Sequence, residues 1–60
     1  MNGIEIYDME NGSYVWYQYG LLQGHFPNWR RLNIWWQKMR RGNAGLPVNP
    51  IVKSISMLGL

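Results

Sequence analysis

Two runs rich in β-branched and aromatic residues, IEIYDM and YVWYQY, lie on either side of Asn11-Gly12. Such residues favour strands, and Asn-Gly tolerates the positive φ angles of a two-residue type I′ turn. Residues 4–19 therefore predict a β-hairpin. With Asn11 and Gly12 as the loop, the register pairs Glu10 with Ser13, Met9 with Tyr14, Tyr7 with Trp16, Ile6 with Tyr17 and Ile4 with Tyr19. Ile4, Ile6, Val15, Tyr17 and Tyr19 then share one face, and Tyr7, Met9, Tyr14 and Trp16 the other. Both faces are substantially apolar. Since a lone two-stranded hairpin is marginal, one face is expected to pack on the rest of the chain and the other to meet a copy or a partner.

The period changes further along. Gly20, Gly24 and Pro27 punctuate 20–28, which reads as a connection with Leu21, Leu22 and Phe26 tucked inward. From Trp29 to Arg41 the apolar residues Trp29, Leu32, Trp36 and Met39 recur at three- and four-residue steps with Trp35 beside them, the pattern of an amphipathic helix. Gly42 suits the left-handed position just past a helix end, and Arg40 and Arg41 complement the dipole there. At the start, Arg30 and Arg31 oppose the dipole, and Arg31 stands where a capping box would have an acid or amide. The run from Gly42 to Pro50 reads as an extended linker. After it, Ile51, Val52, Ile55 and Leu58 fit a short helix, which we favour slightly, and Ile51, Ile55 and Met57 fit a strand.

Together these elements predict an α+β miniature: an N-terminal β-hairpin, one basic amphipathic α-helix, and an irregular C-terminal tail with a short helix or strand. Residues 1–42 form the hairpin-plus-helix unit, and 43–60 form a linker and C-terminal docking segment.

Length adds a constraint. A chain of 60 residues buries only about 60% of the surface its unfolded form exposes. Without cysteine it has no disulfide and no thiolate metal site, so an oligomer or a partner is the expected source of extra stability. Aromatic residues fill 15% of positions and charged residues also 15%, the latter below the roughly 25% usual in globular domains. Trp and Tyr dominate interface hot spots, so part of this aromatic excess points to a partner surface.

The net charge of +3 conceals a segregation: Glu5, Asp8 and Glu10 all precede residue 11, whereas five of six basic residues lie between Arg30 and Arg41. An anionic partner follows naturally. No secretory signal and no transmembrane span is readable, because Glu5 and Asp8 occupy the start and Pro47, Asn49, Pro50 and Lys53 interrupt the most apolar stretch. A soluble chain is the default, with compartment unassigned.

Candidate chemistry is sparse. His25 is the sole histidine, which leaves no His-based triad or His-rich metal site within one chain, and beside Gly24 and Phe26 it reads as ordinary loop chemistry. Asp8 and Glu10 flank an exposed turn rather than a pocket able to separate their pKa values. Gly42 and Gly45 match no phosphate-binding loop. We expect no enzyme, no cofactor and no metal.

The informative element is the helix WRRLNIWWQKMRR. Trp29, Leu32, Trp35, Trp36 and Met39 form one surface; Arg30, Arg31, Lys38 and Arg41 lie roughly opposite, with Ile34 among them and Arg40 on the flank. The expected function is a small protein-binding module, either an inhibitor of a larger protein or a small subunit of an assembly. Its partner is a larger protein or a second copy. The residues assigned to the partner surface are Trp29, Arg30, Arg31, Ile34, Trp35, Lys38 and Arg41 on the helix and Tyr7, Tyr14 and Trp16 on the hairpin. Nucleic acid, held by the basic Trp/Arg helix, is the alternative, and a membrane surface a second. The helix loosely resembles arginine-rich RNA-binding segments, which are denser in charge and lack such a Trp stripe. In length and aromatic content the chain is similar to phage and viral accessory proteins, an analogy of composition alone.

Overall fold

The computed structural model describes residues 3–55. Strands β1 (Ile4–Asp8), β2 (Tyr14–Gln18), β3 (Leu21–Phe26) and β4 (Val52–Ser54) form one sheet in the order β3-β2-β1-β4, and helix α1 (Trp29–Gly42) precedes β4 in the chain. The fold is α+β.

The hairpin forms, but in a register one residue from that predicted. Ile4 pairs with Gln18, Glu5 with Tyr17, Ile6 with Trp16, Tyr7 with Val15 and Asp8 with Tyr14. The cause lies in the loop. Met9 N–H donates to the Ser13 carbonyl at 3.0 Å, so the connection is Glu10-Asn11-Gly12 rather than Asn11-Gly12 alone. Glu10 and Gly12 carry the positive φ values of 69° and 89°. Asp8 Oδ1 accepts from Glu10 N–H at 2.7 Å and Asn11 Oδ1 from Ser13 N–H at 3.0 Å, local bonds that stabilise the three-residue turn. A one-residue slip moves one strand's side chains to the opposite faces relative to the other. Trp16 and Tyr14 thereby join Ile4 and Ile6, while Tyr17 and Val15 join Tyr7.

A two-residue turn with both central φ positive does occur, at Tyr19 (51°) and Gly20 (81°). It launches β3, a strand where the sequence reading placed a connection. β3 pairs antiparallel with β2, with Gln18 opposite Leu21 and Tyr14 opposite Phe26, and an irregularity at Trp16/Tyr17 leaves Gln23 outside the regular pairing. Phe26 is buried as expected; Leu21 and Leu22 are 68% and 61% exposed instead of tucked inward.

The core gathers Ile6, Phe26, Leu32 and Trp36, with Ile4, Tyr14, Trp16, Trp35, Leu46 and Val52 partly buried against it. Ile6, Leu32 and Trp36 are fully buried, and sequestering a side chain such as Ile or Leu contributes roughly 1.5–3 kcal/mol each. The helix thus spends its Leu32/Trp36 stripe on the sheet.

Asn28 caps α1 by accepting Arg31 N–H at 3.0 Å on its side-chain oxygen. Gly42 is not the left-handed residue beyond the helix: it closes the last turn, and Asn43 caps from an extended conformation while donating its N–H to the Arg40 carbonyl at 3.1 Å. Asn43 Oδ1 and its carbonyl then bind the N–H groups of Gly45 and Leu46, starting a turn in place of another helical residue.

The following segment lies back on the helix. Trp36 Nε1 donates to the Pro47 carbonyl at 2.9 Å, Gln37 Nε2 to the Val48 carbonyl at 2.9 Å, and Pro50 is buried. These bonds deliver the chain to β4, which runs parallel to β1 with Lys53 opposite Tyr7. Of helix and strand, Val52–Ser54 therefore takes the strand; Met57 and Leu58 lie outside the described residues. Among those described, no helix is long and apolar enough to cross a membrane.

Candidate functional site

Arg31, Ile34, Trp35 and Lys38 stand at i, i+3, i+4 and i+7, which aligns them as a second stripe next to the buried one. This stripe forms one wall of a groove of about 470 Å³; the end of β3 and the turn after it, His25, Phe26 and Pro27, form the other. Trp35 is its fixed point. Its ring centroid lies 4.7 Å from that of Trp16 and 5.1 Å from that of Phe26, both tilted, so the half-buried indole is held in a cluster of rings. Ile34 is 46% exposed beside it. Arg31 and Lys38 are exposed at the two ends of the stripe, and no acidic side chain lines the groove.

The acids lie elsewhere. Glu5 bonds Lys53 at 3.2 Å, the sole ion pair among the described residues. Asp8 and Glu10 border a different depression with Tyr14, Trp29 and Lys53. The cations of α1 consequently have no carboxylate partner within the described fold. Arg40 is the exception in burial: its Nη1 donates to Gln37 Oε1 at 2.7 Å, and its Nε is buried without a partner.

The ten assigned residues separate. Arg31, Ile34, Trp35 and Lys38 come together in the groove, with Trp16 behind Trp35. Arg30 flanks it in a shallow depression shared with Asn28, Arg31 and Ile34. Trp29 and Tyr14 stack edge-on at 5.8 Å beside the acids, and Arg41 stands with Gln37 and Arg40 by a further depression. Tyr7 is on the opposite sheet face from Tyr14 and Trp16 and is 5% exposed. There its hydroxyl donates to Glu5 Oε2 at 2.8 Å and its ring meets Tyr17 edge-on at 5.7 Å. The bond from Tyr7, then Lys53, holds the Glu5 carboxyl below the usual carboxylate range, and bonding to Glu5, then desolvation, pushes the Tyr7 hydroxyl up.

His25, Phe26 and Pro27 were absent from the assignment because Gly20, Gly24 and Pro27 mark their segment as a connection. His25 sits on that strand, exposed, rather than in a loop. No group of three or more His, Asp or Glu side chains able to hold a metal occurs among the described residues. The groove offers aromatic and aliphatic surface, the His25 imidazole and the two cations Arg31 and Lys38.

No protein-family model matches the chain, and neither a curated protein nor a solved structure matches it.

Proposed function

We propose that this chain is a small non-enzymatic protein-binding module, an inhibitor of a larger protein or a small subunit of an assembly, which docks through the groove between β3 and α1. The observation that carries this reading is Trp35: a ring braced by Trp16 and Phe26, partly open to solvent beside exposed Ile34, between two cations with no acid nearby. A rigid aromatic anchor loses little conformational entropy on docking, and Arg beside it suits bidentate pairing with carboxylates.

Nuclease-treated pull-down from the source cell with purified chain as bait tests it. One protein captured at fixed stoichiometry, lost with Ile34→Glu and with Lys38→Glu but kept with Val48→Ser on an exposed site outside the groove, is the expected result. Equal capture by all four baits would sink it.

Nucleic acid is the second reading, favoured by the exposure of Arg30, Arg31, Lys38 and Arg41 without ion pairs among the described residues. It predicts capture that disappears on nuclease treatment and an affinity falling steeply with salt. A bilayer surface has less support, because Leu32 and Trp36, the apolar residues an interfacial helix would insert, are already buried against the sheet.

A further inference from the structure

The two edges of the sheet are managed differently. β4 is three residues long, follows a buried proline and carries Lys53. Short length, proline and lysine are common ways of keeping an edge from pairing with another chain. β3 is six residues long, LLQGHF, with no lysine, arginine or proline in it, and exposes Leu21 and Leu22. Being first in the sheet order, it has β2 as its only strand neighbour among the described residues. The end of that free edge is also a wall of the groove, through His25 and Phe26.

Resting on the docking reading above, we propose that β3 accepts an extended acidic segment of a partner protein as a fifth strand. The added strand seats an apolar side chain on Ile34 and Trp35 and presents carboxylates to Arg31 and Lys38. Spacing supports this. Seven helical residues from Arg31 to Lys38 rise about 10 Å, and strand residues four apart on one face lie about 13 Å apart. An acid, an apolar residue and an acid at alternate strand positions thus span the distance between the two cations, with the long side chains closing the difference.

Charge decides against a second copy as the occupant. Antiparallel pairing of β3 with itself uses a two-fold axis perpendicular to the sheet, which puts both helices on one face with their groove stripes facing. Arg31 and Lys38 of each copy would meet the same cations of the other, with no acid lining either groove. Like charges so placed oppose association, whereas an acidic strand neutralises them.

The probe is a nine-residue threonine-rich peptide with glutamate, valine and glutamate at alternate central positions, titrated into the isotopically labelled full chain at low salt. Three companions accompany it: lysine in place of glutamate, an N-methylated backbone, and an alanine-rich helical peptide bearing the same three side chains. Expected are binding of the acidic strand peptide, exchange protection of β3 amides and shifts of Ile34 and the Trp35 indole. N-methylation should weaken it about tenfold, the equivalent of one or two lost hydrogen bonds. The lysine peptide should not bind the native chain but should bind an Arg31→Glu/Lys38→Glu double variant. If the helical peptide binds the groove and leaves β3 amides unchanged, strand addition is overturned and protein docking stands. Protection of β3 amides without peptide, with a dimer in sedimentation, overturns the choice of occupant. Failure of every acidic peptide overturns the proposal, while nuclease-resistant capture in the pull-down separately decides the docking reading.

Discussion

Trp36→Phe probes how the segment after the helix is held. Trp36 is fully buried and its Nε1 is bonded to the Pro47 carbonyl at 2.9 Å. Phenylalanine keeps an aromatic ring in the core but removes the donor and roughly 40 Å³ of side chain, worth about 1 kcal/mol at ~24 cal/mol per Å³ of cavity. The lost hydrogen bond adds about 1 kcal/mol; exposed Pro47 can turn its carbonyl to water, so the larger penalty of a stranded acceptor does not apply. The sum of about 2 kcal/mol is a large share of the roughly 3–9 kcal/mol expected for 60 residues. At about 4–8 °C per kcal/mol it should lower Tm by roughly 8–16 °C. Circular-dichroism melts at several protein concentrations give Tm free of association effects. Hydrogen exchange at the Leu46 amide, which donates to the Asn43 carbonyl, reads whether the segment has come off the helix. A Tm within about 3 °C of the native value, or unchanged exchange at Leu46, would refute the claim that Trp36 both fills the core and pins this segment.

Two glycines should respond in opposite directions. A Cβ at Gly24 would stand 2.7 Å from Trp16 Nε1, and Trp16 is braced by Trp35, so Gly24→Ala should destabilise by about 1–3 kcal/mol and alter near-ultraviolet dichroism. Gly42 closes the last helical turn with open space around it and no positive φ, so Gly42→Ala should raise stability by about 0.5–1 kcal/mol; a loss in urea titration would restore the left-handed role. For Glu5, whose carboxyl lies below its unfolded value, the stability contribution is present above the unfolded pKa and lost as pH falls through the folded pKa. Tyr7→Phe should return the Glu5 titration toward the ordinary range by carboxyl NMR and flatten the acid limb of the stability profile, and no movement would contradict Tyr7 as the main cause.

The strongly periodic parts of the chain were legible. The helix from Trp29 follows from three- and four-residue spacing, and the hairpin from the β-branched and aromatic runs on either side of Asn11-Gly12. What was lost is instructive. Both Asn11-Gly12 and Tyr19-Gly20 lie between strand-like runs, and the dipeptide richer in turn residues is not the one with the two-residue loop. Asp8 and Asn11 bond the backbone two residues on, favouring a loop that also takes in Glu10, a preference visible only once side-chain geometry is known. β3 was hidden because Gly20, Gly24 and Pro27 punctuate it like a loop, and the structure shows why Gly24 stands within a strand: Trp16 fills the space of its side chain. β4 was ambiguous because three residues are too few to establish a period.

The register is therefore a functional matter as well as a topological one. In the predicted pairing Tyr7, Tyr14 and Trp16 shared a face assigned to a partner. In the observed pairing Trp16 turns toward α1 and fixes Trp35, Tyr14 goes with Trp29, and Tyr7 is sealed among Glu5 and Tyr17. Trp16 and Phe26 brace the half-buried Trp35, while Trp29 stays 42% exposed beside Tyr14. The sheet also separates the charges: Glu5 and Asp8 on β1 lie two strands from the β3 edge, and the groove keeps Arg31 and Lys38 without a carboxylate. A partner that supplies carboxylates neutralises cations the fold leaves unpaired, whereas one that supplies only apolar surface leaves both without a counter-charge along the helical wall of the groove.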